Sequence, residues 1–158
     1  GKLYAWENIG IKPDVLTTAK GLGGGLPVGA CLATEKFGNT LTAGTHGTTF
    51  GGNPVVLAGA IEILNRLDNN FLNSVREKGE YIKSKVAKFD DVAEVRGMGL
   101  MIGIDLKSKK ASEIASKCVE NGLLILTAKQ SLRMLPPLTV TYEEIDKGLE
   151  ILKKTLAE

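Results

Sequence analysis

The sequence predicts an α/β protein in two parts, residues 1–88 and residues 89–158. In the first part, the mostly apolar run at residues 28–33 is typical of a strand buried on both faces, and two amphipathic helices follow it. In the second part, short strands alternate with helices, which is typical of a small α+β unit. We therefore expect the end of one domain to be followed by a separate C-terminal domain.

Composition and charge disfavour several classes of partner. The chain of 158 residues has a net charge of +2, and its basic and acidic residues are interleaved, so nothing in it favours nucleic acid or an anionic membrane. Its two cysteines, Cys31 and Cys118, lie in apolar segments far apart in the sequence. Since neither a signal-peptide pattern nor a long apolar run occurs, we expect reduced thiols in a cytoplasmic protein. The chain begins without Met, and we expect it to be part of a longer protein.

The first unusual stretch is residues 17–27, where Lys20 lies between small hydroxyl residues and a run of glycines. A phosphate-binding P-loop places its lysine after the glycines and opens a helix, and here the order is reversed. The dinucleotide fingerprint also fails, because the sixth position counted from Gly21 is Leu26. A lysine amine on a loop that a planar ligand can approach suits a Schiff base with an aldehyde such as pyridoxal phosphate. Taken alone, a lysine is more often a solvated surface charge.

The second unusual stretch lies within residues 38–53, which are rich in Gly, Thr and Asn without periodicity and should form an extended loop. Backbone amides, the hydroxyls of Thr48 and Thr49 and the start of a helix together suit a phosphate. A plain turn capped by Asn53 is the simpler alternative. His46 is the only histidine, so the sequence gives little support to a histidine metal site or a Ser-His-Asp triad, and we predict no metal ligands.

Two helices should complete the first part. Asn53 is the expected cap of the first helix, with Pro54 in its first turn. The second should run from about residue 71 to residue 88, with its charges facing water. Apolar residues at three- and four-residue spacing define the predicted inner faces, which are Leu57, Ala60, Ile61 and Leu64 on the first helix and Leu72, Val75, Ile82 and Val86 on the second.

The second part should contain four strands and two helices. Strands are predicted at residues 92–96, 100–106, 123–127 and 132–135. Ser112 is the expected cap of a helix that ends at Gly122, and Thr141 with Glu144 forms a predicted capping box for the last helix. The residues predicted to face the core are Leu100, Ile102, Ile104 and Leu106 on the second of these strands and Ile145, Leu149, Leu152 and Leu156 on the last helix.

Four motifs together resemble the class III pyridoxal-phosphate aminotransferases. They are residues 17–27, 46–54, 95–103 and 132–138, and they occur in the order and at the approximate spacing of that family. The resemblance covers essentially the whole chain, as the C-terminal two fifths or so of such an enzyme, and is strongest to members that act on N-acetylornithine. It implies a type I pyridoxal-phosphate transferase fold, with the end of the large cofactor-binding domain followed by the small C-terminal domain.

The resemblance assigns roles by position. Lys20 matches the lysine that forms the Schiff base with pyridoxal 5′-phosphate and moves the proton during transfer. Thr49 matches the threonine that binds the cofactor phosphate of the neighbouring subunit in a homodimer, and Thr48 matches a residue beside the substrate. Arg133 matches the arginine that pairs with a substrate carboxylate, a task that suits a planar guanidinium. The implied reaction moves the terminal amino group of N-acetylornithine to 2-oxoglutarate in arginine biosynthesis.

Alternatives remain open within and outside the family. Ornithine, succinylornithine and 4-aminobutyrate aminotransferases share these motifs. An alternative function of a different class is a noncatalytic module that binds phosphate or a protein partner through residues 44–52. The family's aspartate at the pyridine nitrogen, its stacking aromatic residue and its phosphate loop all precede residue 1, so we expect this piece alone to be inactive. Missing sheet neighbours should also leave apolar surface exposed in residues 1–88.

Overall fold

The computed structural model describes all 158 residues. The chain divides into two compact units, one of residues 2–72 and the other of Gly1 with residues 73–158. This division falls within the second long helix, whereas the sequence placed the domain boundary after residue 88. The boundary between domains of the longer protein stays a prediction. None of the helices combines the length and the apolar character that crossing a membrane would need.

The first unit contains a two-stranded antiparallel sheet and a helix. Strands β1 (Val15–Thr18) and β2 (Ala30–Ala33) pair with Val15 opposite Ala33. Short 3-10 turns occupy Ala5–Asn8, Lys20–Gly23 and Glu35–Phe37, and helix α1 spans Pro54–Arg66. Residues 38–53 contain neither helix nor strand, as predicted for an extended loop.

The predicted burial of residues 28–33 on both faces is wrong for this structure. Strand β2 is exposed along its whole length, and the Leu32 side chain is 50% exposed. Burial on both faces requires layers that cover the sheet, and β2 has only β1 as a neighbour. The expectation of exposed apolar surface in this part of the chain is confirmed, with the most exposed large residues being Ile9, Ile11, Phe50 and Val55.

Helix α1 begins as predicted but packs through a different face. The Asn53 side chain accepts hydrogen bonds from the amides of Val55 at 3.1 Å and Val56 at 3.3 Å, which confirms the cap. Ala60 is buried, but the other three residues of the predicted stripe, Leu57, Ile61 and Leu64, are each at least 40% exposed. Helix α1 lies against the turn at residues 20–23, where a Cβ built on Gly59 would make an ordinary contact of 3.8 Å with the Gly23 carbonyl oxygen.

The second unit is a four-stranded antiparallel sheet with helices. The strand order is β3-β4-β6-β5. The strands are β3 (Val92–Met98), β4 (Met101–Leu106), β5 (Leu126–Ala128) and β6 (Ser131–Met134). The helices are α2 (Asn69–Val86), which begins in the first unit, α3 (Ala111–Glu120) and α4 (Tyr142–Ala157).

One face of this sheet is apolar and buried, and the other, exposed face carries Arg133 and other charged residues beside the apolar Met101 and Leu126. Alternation along β4 buries Ile102 and Ile104 completely, while Gly103 between them lies on the opposite face. The predicted inner faces of the helices are confirmed for most members, since the buried residues include Val75, Ile82 and Val86 of α2 and Ile145, Leu149, Leu152 and Leu156 of α4. The exposed face carries the charged residues and is called the polar face below.

Helix caps in this unit were predicted with mixed success. The capping box is confirmed, because the Thr141 hydroxyl accepts from the Glu144 amide at 3.2 Å and the Glu144 carboxylate accepts from the Thr141 amide at 2.8 Å. The bonds that the Glu144 carboxylate accepts from the amide and the hydroxyl of Thr141 hold its pKa below the usual value. The predicted Ser112 cap is wrong, since α3 starts at Ala111 and Lys110 occupies the cap position without a side-chain bond. Ala111 is buried, so tertiary packing rather than a cap sets this start.

Helix α2 passes very close to the turn between β3 and β4. A Cβ built on Gly79 would lie 2.2 Å from the carbonyl oxygen of Gly99. We expect Gly79→Ala to lower the free energy of unfolding by about 1–3 kcal/mol through overpacking, although alanine favours helices. Chemical denaturation followed by circular dichroism would measure the change.

Gly148→Ala in α4 is the matched control. A Cβ there would lie 3.4 Å from the end of the flexible Leu123 side chain. Helix propensity should then dominate and leave the protein unchanged or more stable by up to about 1 kcal/mol. Equal losses at Gly79 and Gly148 would contradict the close packing of α2 on the turn.

Candidate active site

Lys20 is held in an unusual backbone conformation just after a strand. Strand β1 ends at Thr18, and the 3-10 turn begins at Lys20, whose φ of 55° lies in the left-handed region. Such a φ is uncommon outside glycine and is found most often where the surroundings enforce it. The Leu22 amide donates to the Ala19 carbonyl at 3.2 Å and so closes the turn around Lys20. The Lys20 side chain is exposed and takes part in none of the ion pairs of the chain.

Gly24 anchors this turn to helix α1. Its φ is 58°, and a Cβ built on it would lie 2.9 Å from both Cδ1 and Cγ1 of Ile63. The sequence led us to expect close approach of a planar ligand to the glycine run, and at Gly24 the close neighbour is Ile63 instead. Beside Lys20, a Cβ built on Gly21 would meet nothing within 4 Å, so open space exists there.

The contact between Gly24 and Ile63 can be tested by substitution. Gly24→Ala should destabilise the protein by about 1–3 kcal/mol more than Gly25→Ala, because both positions have positive φ but only Gly24 faces a neighbour. Thermal and chemical denaturation of both variants would measure the difference.

A double-mutant cycle supplies the control. Ile63→Ala removes both crowded atoms, so in this background the added cost of Gly24→Ala should fall to that of Gly25→Ala. An unchanged cost for Gly24→Ala in the Ile63→Ala background would show that the clash is not with Ile63.

Thr48 lies beside a small cavity at the start of α1. The cavity has a volume of about 280 Å³ and is lined by residues 27–29, by Thr48 and by the residues that lead into the helix. Gly51 makes this placement possible, because a Cβ there would lie 2.0 Å from Cγ2 of Thr48. Neither Lys20 nor Thr49 lines the cavity, so the structure brings only one of the three predicted residues of this unit to it.

The donors available to an anion near this cavity differ from those expected. The amides of Val55 and Val56 at the start of α1 already donate to Asn53, and Pro54 has no amide proton. The hydroxyls of Thr48 and Thr49 make no hydrogen bond within the chain, and neither do the backbone amides of residues 46–52. The loop, rather than the helix end, therefore offers the free donors.

His46 lies beside a larger open cleft in the same unit. This cleft of about 620 Å³ is lined by residues of β1 and β2, including Thr17, Thr18 and Cys31, and by loop residues that include His46. Cys31 is an exposed free thiol.

Arg133 occupies the polar face of the sheet in the second unit. It lies on β6, opposite Gly103 of β4 on one side and Leu126 of β5 on the other. Its Nε is buried and has no hydrogen-bond partner, and no carboxylate of the chain pairs with its guanidinium. A buried N–H without an acceptor is costly, so the chain by itself leaves the hydrogen bonding of this arginine incomplete.

A profile of the family described as "Aminotransferase class-III" matches residues 1–156. The chain belongs to the class-III aminotransferases. This confirms the family to which the four sequence motifs pointed.

Individual relatives support the assignment of this chain to the class-III aminotransferases. The acetylornithine aminotransferase of Bacillus cereus is 45% identical over 163 residues, which cover 99% of this chain and 42% of the relative. Among solved structures, the acetylornithine aminotransferase of Elizabethkingia anophelis has a TM-score of 0.87 at 32% identity. The match covers 99% of this chain and 44% of that structure. The ornithine δ-aminotransferase of Plasmodium falciparum has a TM-score of 0.85 at 34% identity, with coverages of 99% and 43%.

These likenesses confirm the predicted fold class, an α/β piece of the type I transferase fold. The chain spans about two fifths of the length of the curated relatives it matches.

One polar cluster of the class-III aminotransferase chain escaped prediction from the sequence. Arg96 on β3 forms an ion pair with Asp105 on β4 and donates from Nη2 to the Ser131 hydroxyl at 2.8 Å, and this hydroxyl in turn donates to Asp105. The bonds from Arg96 and then Ser131 lower the pKa of the Asp105 carboxyl, and Asp105 raises the pKa of Arg96. Only Arg96 lies in a recognised motif, and nothing in the sequence indicates that the three residues meet.

Proposed function

We propose that the full-length protein is a pyridoxal-phosphate-dependent aminotransferase that moves the terminal amino group of N-acetylornithine to 2-oxoglutarate in arginine biosynthesis. The observation that carries the proposal is Lys20, an exposed lysine without an ion-pair partner, held at positive φ just after β1. Lys20 belongs to a chain of the class-III family, and the curated relatives of this chain include acetylornithine aminotransferases of 40–45% identity. The free thiols Cys31 and Cys118 support a reducing compartment, and we propose the cytoplasm.

The residues of this chain fit the cofactor that the family implies. The open space beside Gly21 leaves room for a planar group next to Lys20, and the loop at residues 46–52 has free amides and hydroxyls for a phosphate. When bound, pyridoxal phosphate supplies an electron sink for amino-group transfer. Lys20 would hold the cofactor through Nζ, and the same Nζ would carry the proton that is moved at the carbon bearing the transferred amino group, which is the terminal Cδ in N-acetylornithine.

The other predicted residues would bind and orient. Arg133 would donate to a substrate carboxylate in a bidentate pair, which the planar guanidinium favours. Thr48 would lie beside the substrate, and Thr49 would donate to the phosphate of the cofactor in the neighbouring subunit of a homodimer. Upstream residues of the longer protein would complete the cofactor site, so this piece alone is proposed to be inactive.

Ornithine aminotransferase is the second candidate. Structures with that name, from Plasmodium falciparum and Toxoplasma gondii, have TM-scores of 0.85 and 0.88 with this chain. Among solved structures the identities do not separate the two candidates, since acetylornithine aminotransferases are 32% and 34% identical and these two are 34% and 28% identical. The first candidate is supported by curated relatives named acetylornithine aminotransferase, which are 40–45% identical.

A panel of amino donors tests the proposal. With the full-length protein and 2-oxoglutarate, kcat/KM should be highest for N-acetylornithine among acetylornithine, succinylornithine, ornithine and 4-aminobutyrate. Lys20→Ala should abolish turnover of every donor, because no other group would carry the proton, while Lys36→Ala should not. A higher kcat/KM for another donor would reassign the member of the family.

Borohydride reduction separates the enzyme from a noncatalytic module. After incubation of the full-length protein with pyridoxal phosphate and reduction, the peptide that contains Lys20 should gain the mass of the cofactor. The Lys36 peptide serves as the internal control. Absence of the modified Lys20 peptide would refute the enzyme proposal.

The position of Thr49 predicts the behaviour of mixed dimers. If Thr49 serves the partner's site, pairing a Lys20→Ala chain with a Thr49→Ala chain leaves one site intact and one with both defects. The intact site should bind cofactor with wild-type affinity, whereas a Thr49→Ala homodimer should be weakened by about 1–3 kcal/mol, the scale of a hydrogen bond to a charged group.

Cofactor titration of the purified heterodimer supplies the measurement. Weakened affinity at its one remaining functional site would show that Thr49 acts within its own subunit.

A further inference from the structure

Helix α1 directs one stripe of residues towards the glycine loop. The least exposed residues of the helix lie at the three- and four-residue spacing of a single face and are Val56, Gly59, Ala60 and Ile63. By contrast, Ile61 is 59% exposed. Ile63 is the largest side chain of the stripe, and it meets the loop at Gly24.

Gly24 ends the turn that begins at Lys20. A Cβ built on Gly24 would lie 2.9 Å from both Cγ1 and Cδ1 of Ile63, and apart from its chain neighbours no other atom lies within 4 Å of that position. The Gly24 amide donates to the Gly21 carbonyl at 3.2 Å, and the Leu22 amide donates to the Ala19 carbonyl at 3.2 Å. Because these bonds overlap along residues 19–24, a shift of Gly24 reaches the backbone on both sides of Lys20.

The chain that leaves the turn holds its other side. A Cβ built on Gly23 would lie 2.8 Å from Cγ1 of Val28. One built on Gly29 would lie 3.5 Å from the carbonyl oxygen of Thr18, the last residue of β1. The turn is therefore packed from two sides, by its own chain and by helix α1.

These contacts account for the backbone of Lys20. A residue other than glycine keeps a positive φ only where its surroundings enforce it, and Lys20 has a φ of 55°. Its side chain takes part in none of the ion pairs of the chain, so no charged partner enforces this conformation. The packing of the turn is what remains to hold it.

We propose that Ile63 is a positioning residue for Lys20: its contact with Gly24 holds the turn in the conformation that fixes where Nζ of Lys20 lies. The inference rests on the role proposed above for Lys20, which is to hold pyridoxal phosphate through Nζ. Ile63 is apolar and acts through Gly24, so its effect is on geometry alone. Loss of the contact should slow the reaction of Lys20 with the cofactor aldehyde and leave the binding of the cofactor phosphate unchanged.

Time-resolved borohydride trapping in the cofactor-free, full-length protein tests the inference. Nζ bonds to the aldehyde carbon of pyridoxal phosphate with loss of water, and borohydride then adds hydride to that carbon to give a stable secondary amine. Samples quenched at increasing times give the rate at which the Lys20 peptide gains the cofactor mass. Ile63→Ala removes both crowding atoms and should slow this rate about tenfold, since a misplacement of about 1 Å can cost about 100-fold.

Binding of pyridoxine 5′-phosphate separates positioning from a general loss of structure. This compound has an alcohol in place of the aldehyde, so it binds without reacting with Lys20. Its dissociation constant in Ile63→Ala should stay within about twofold of the wild-type value, because the free donors for a phosphate lie in the loop at residues 46–52. If Ile63→Ala weakened this ligand as much as it slowed trapping, the inference would be overturned.

Two further variants sharpen the test. Ile61→Ala is the matched control, since it makes the same truncation on the exposed side of α1 and should leave the trapping rate within about twofold. Equal slowing by Ile61→Ala would overturn the inference. Ile63→Val removes only Cδ1 and should slow trapping about threefold. It decides the question if Ile63→Ala fails to fold: slower trapping supports the inference, and a wild-type rate overturns it.

The wild-type protein separates this inference from the proposed function. If Lys20 of the wild type is never trapped, the role proposed for Lys20 fails and this inference fails with it. If the wild type is trapped and Ile63→Ala is trapped at the same rate, only this inference fails.

Discussion

The close approach of helix α1 to the glycine loop is the contact on which the first unit depends. A side chain at Gly24 would collide with Ile63, and Gly59 lies against Leu26 and the Gly23 carbonyl. Because this contact fixes the loop, the turn that begins at Lys20 can keep a strained backbone. The same helix carries at its start the cavity lined by Thr48. One packing contact therefore positions both parts of the candidate site in this unit.

In the second unit, the alternation of side chains along the strands places the core residues on one face of the sheet and the charged residues on the other. Ile102 and Ile104 of β4 are buried in the apolar core, and Gly103 and Asp105 face the polar side. On that polar side, Arg96 and Arg133 both lie opposite Gly103 but have different surroundings. A neighbouring carboxylate pairs with Arg96, whereas Arg133 has a buried Nε without a partner. Their chemistry is decided by partners rather than by residue type.

Features with a local cause could be predicted from the sequence alone. Asn53 and the pair of Thr141 and Glu144 cap their helices as expected, because each bond joins residues only two or three positions apart. The family could also be recognised, since its motifs are short and ordered along the chain. Burial of residues 28–33 could not be predicted in the same way, because a pattern of apolar residues does not indicate whether other layers of the structure cover the strand.

By itself, the sequence determined the helix caps, the apolar faces of α2 and α4, the family and the candidate residues Lys20, Thr48, Thr49 and Arg133. Only the tertiary structure decided which face of α1 packs, where α3 begins and why Gly24 must be glycine. It also decided that Asp105 pairs with Arg96, whereas the buried Nε of Arg133 has no partner. The physical reason is distance along the chain: Gly24 meets Ile63 and Arg96 meets Ser131 only after folding, and such encounters leave no periodic or local signal in the sequence.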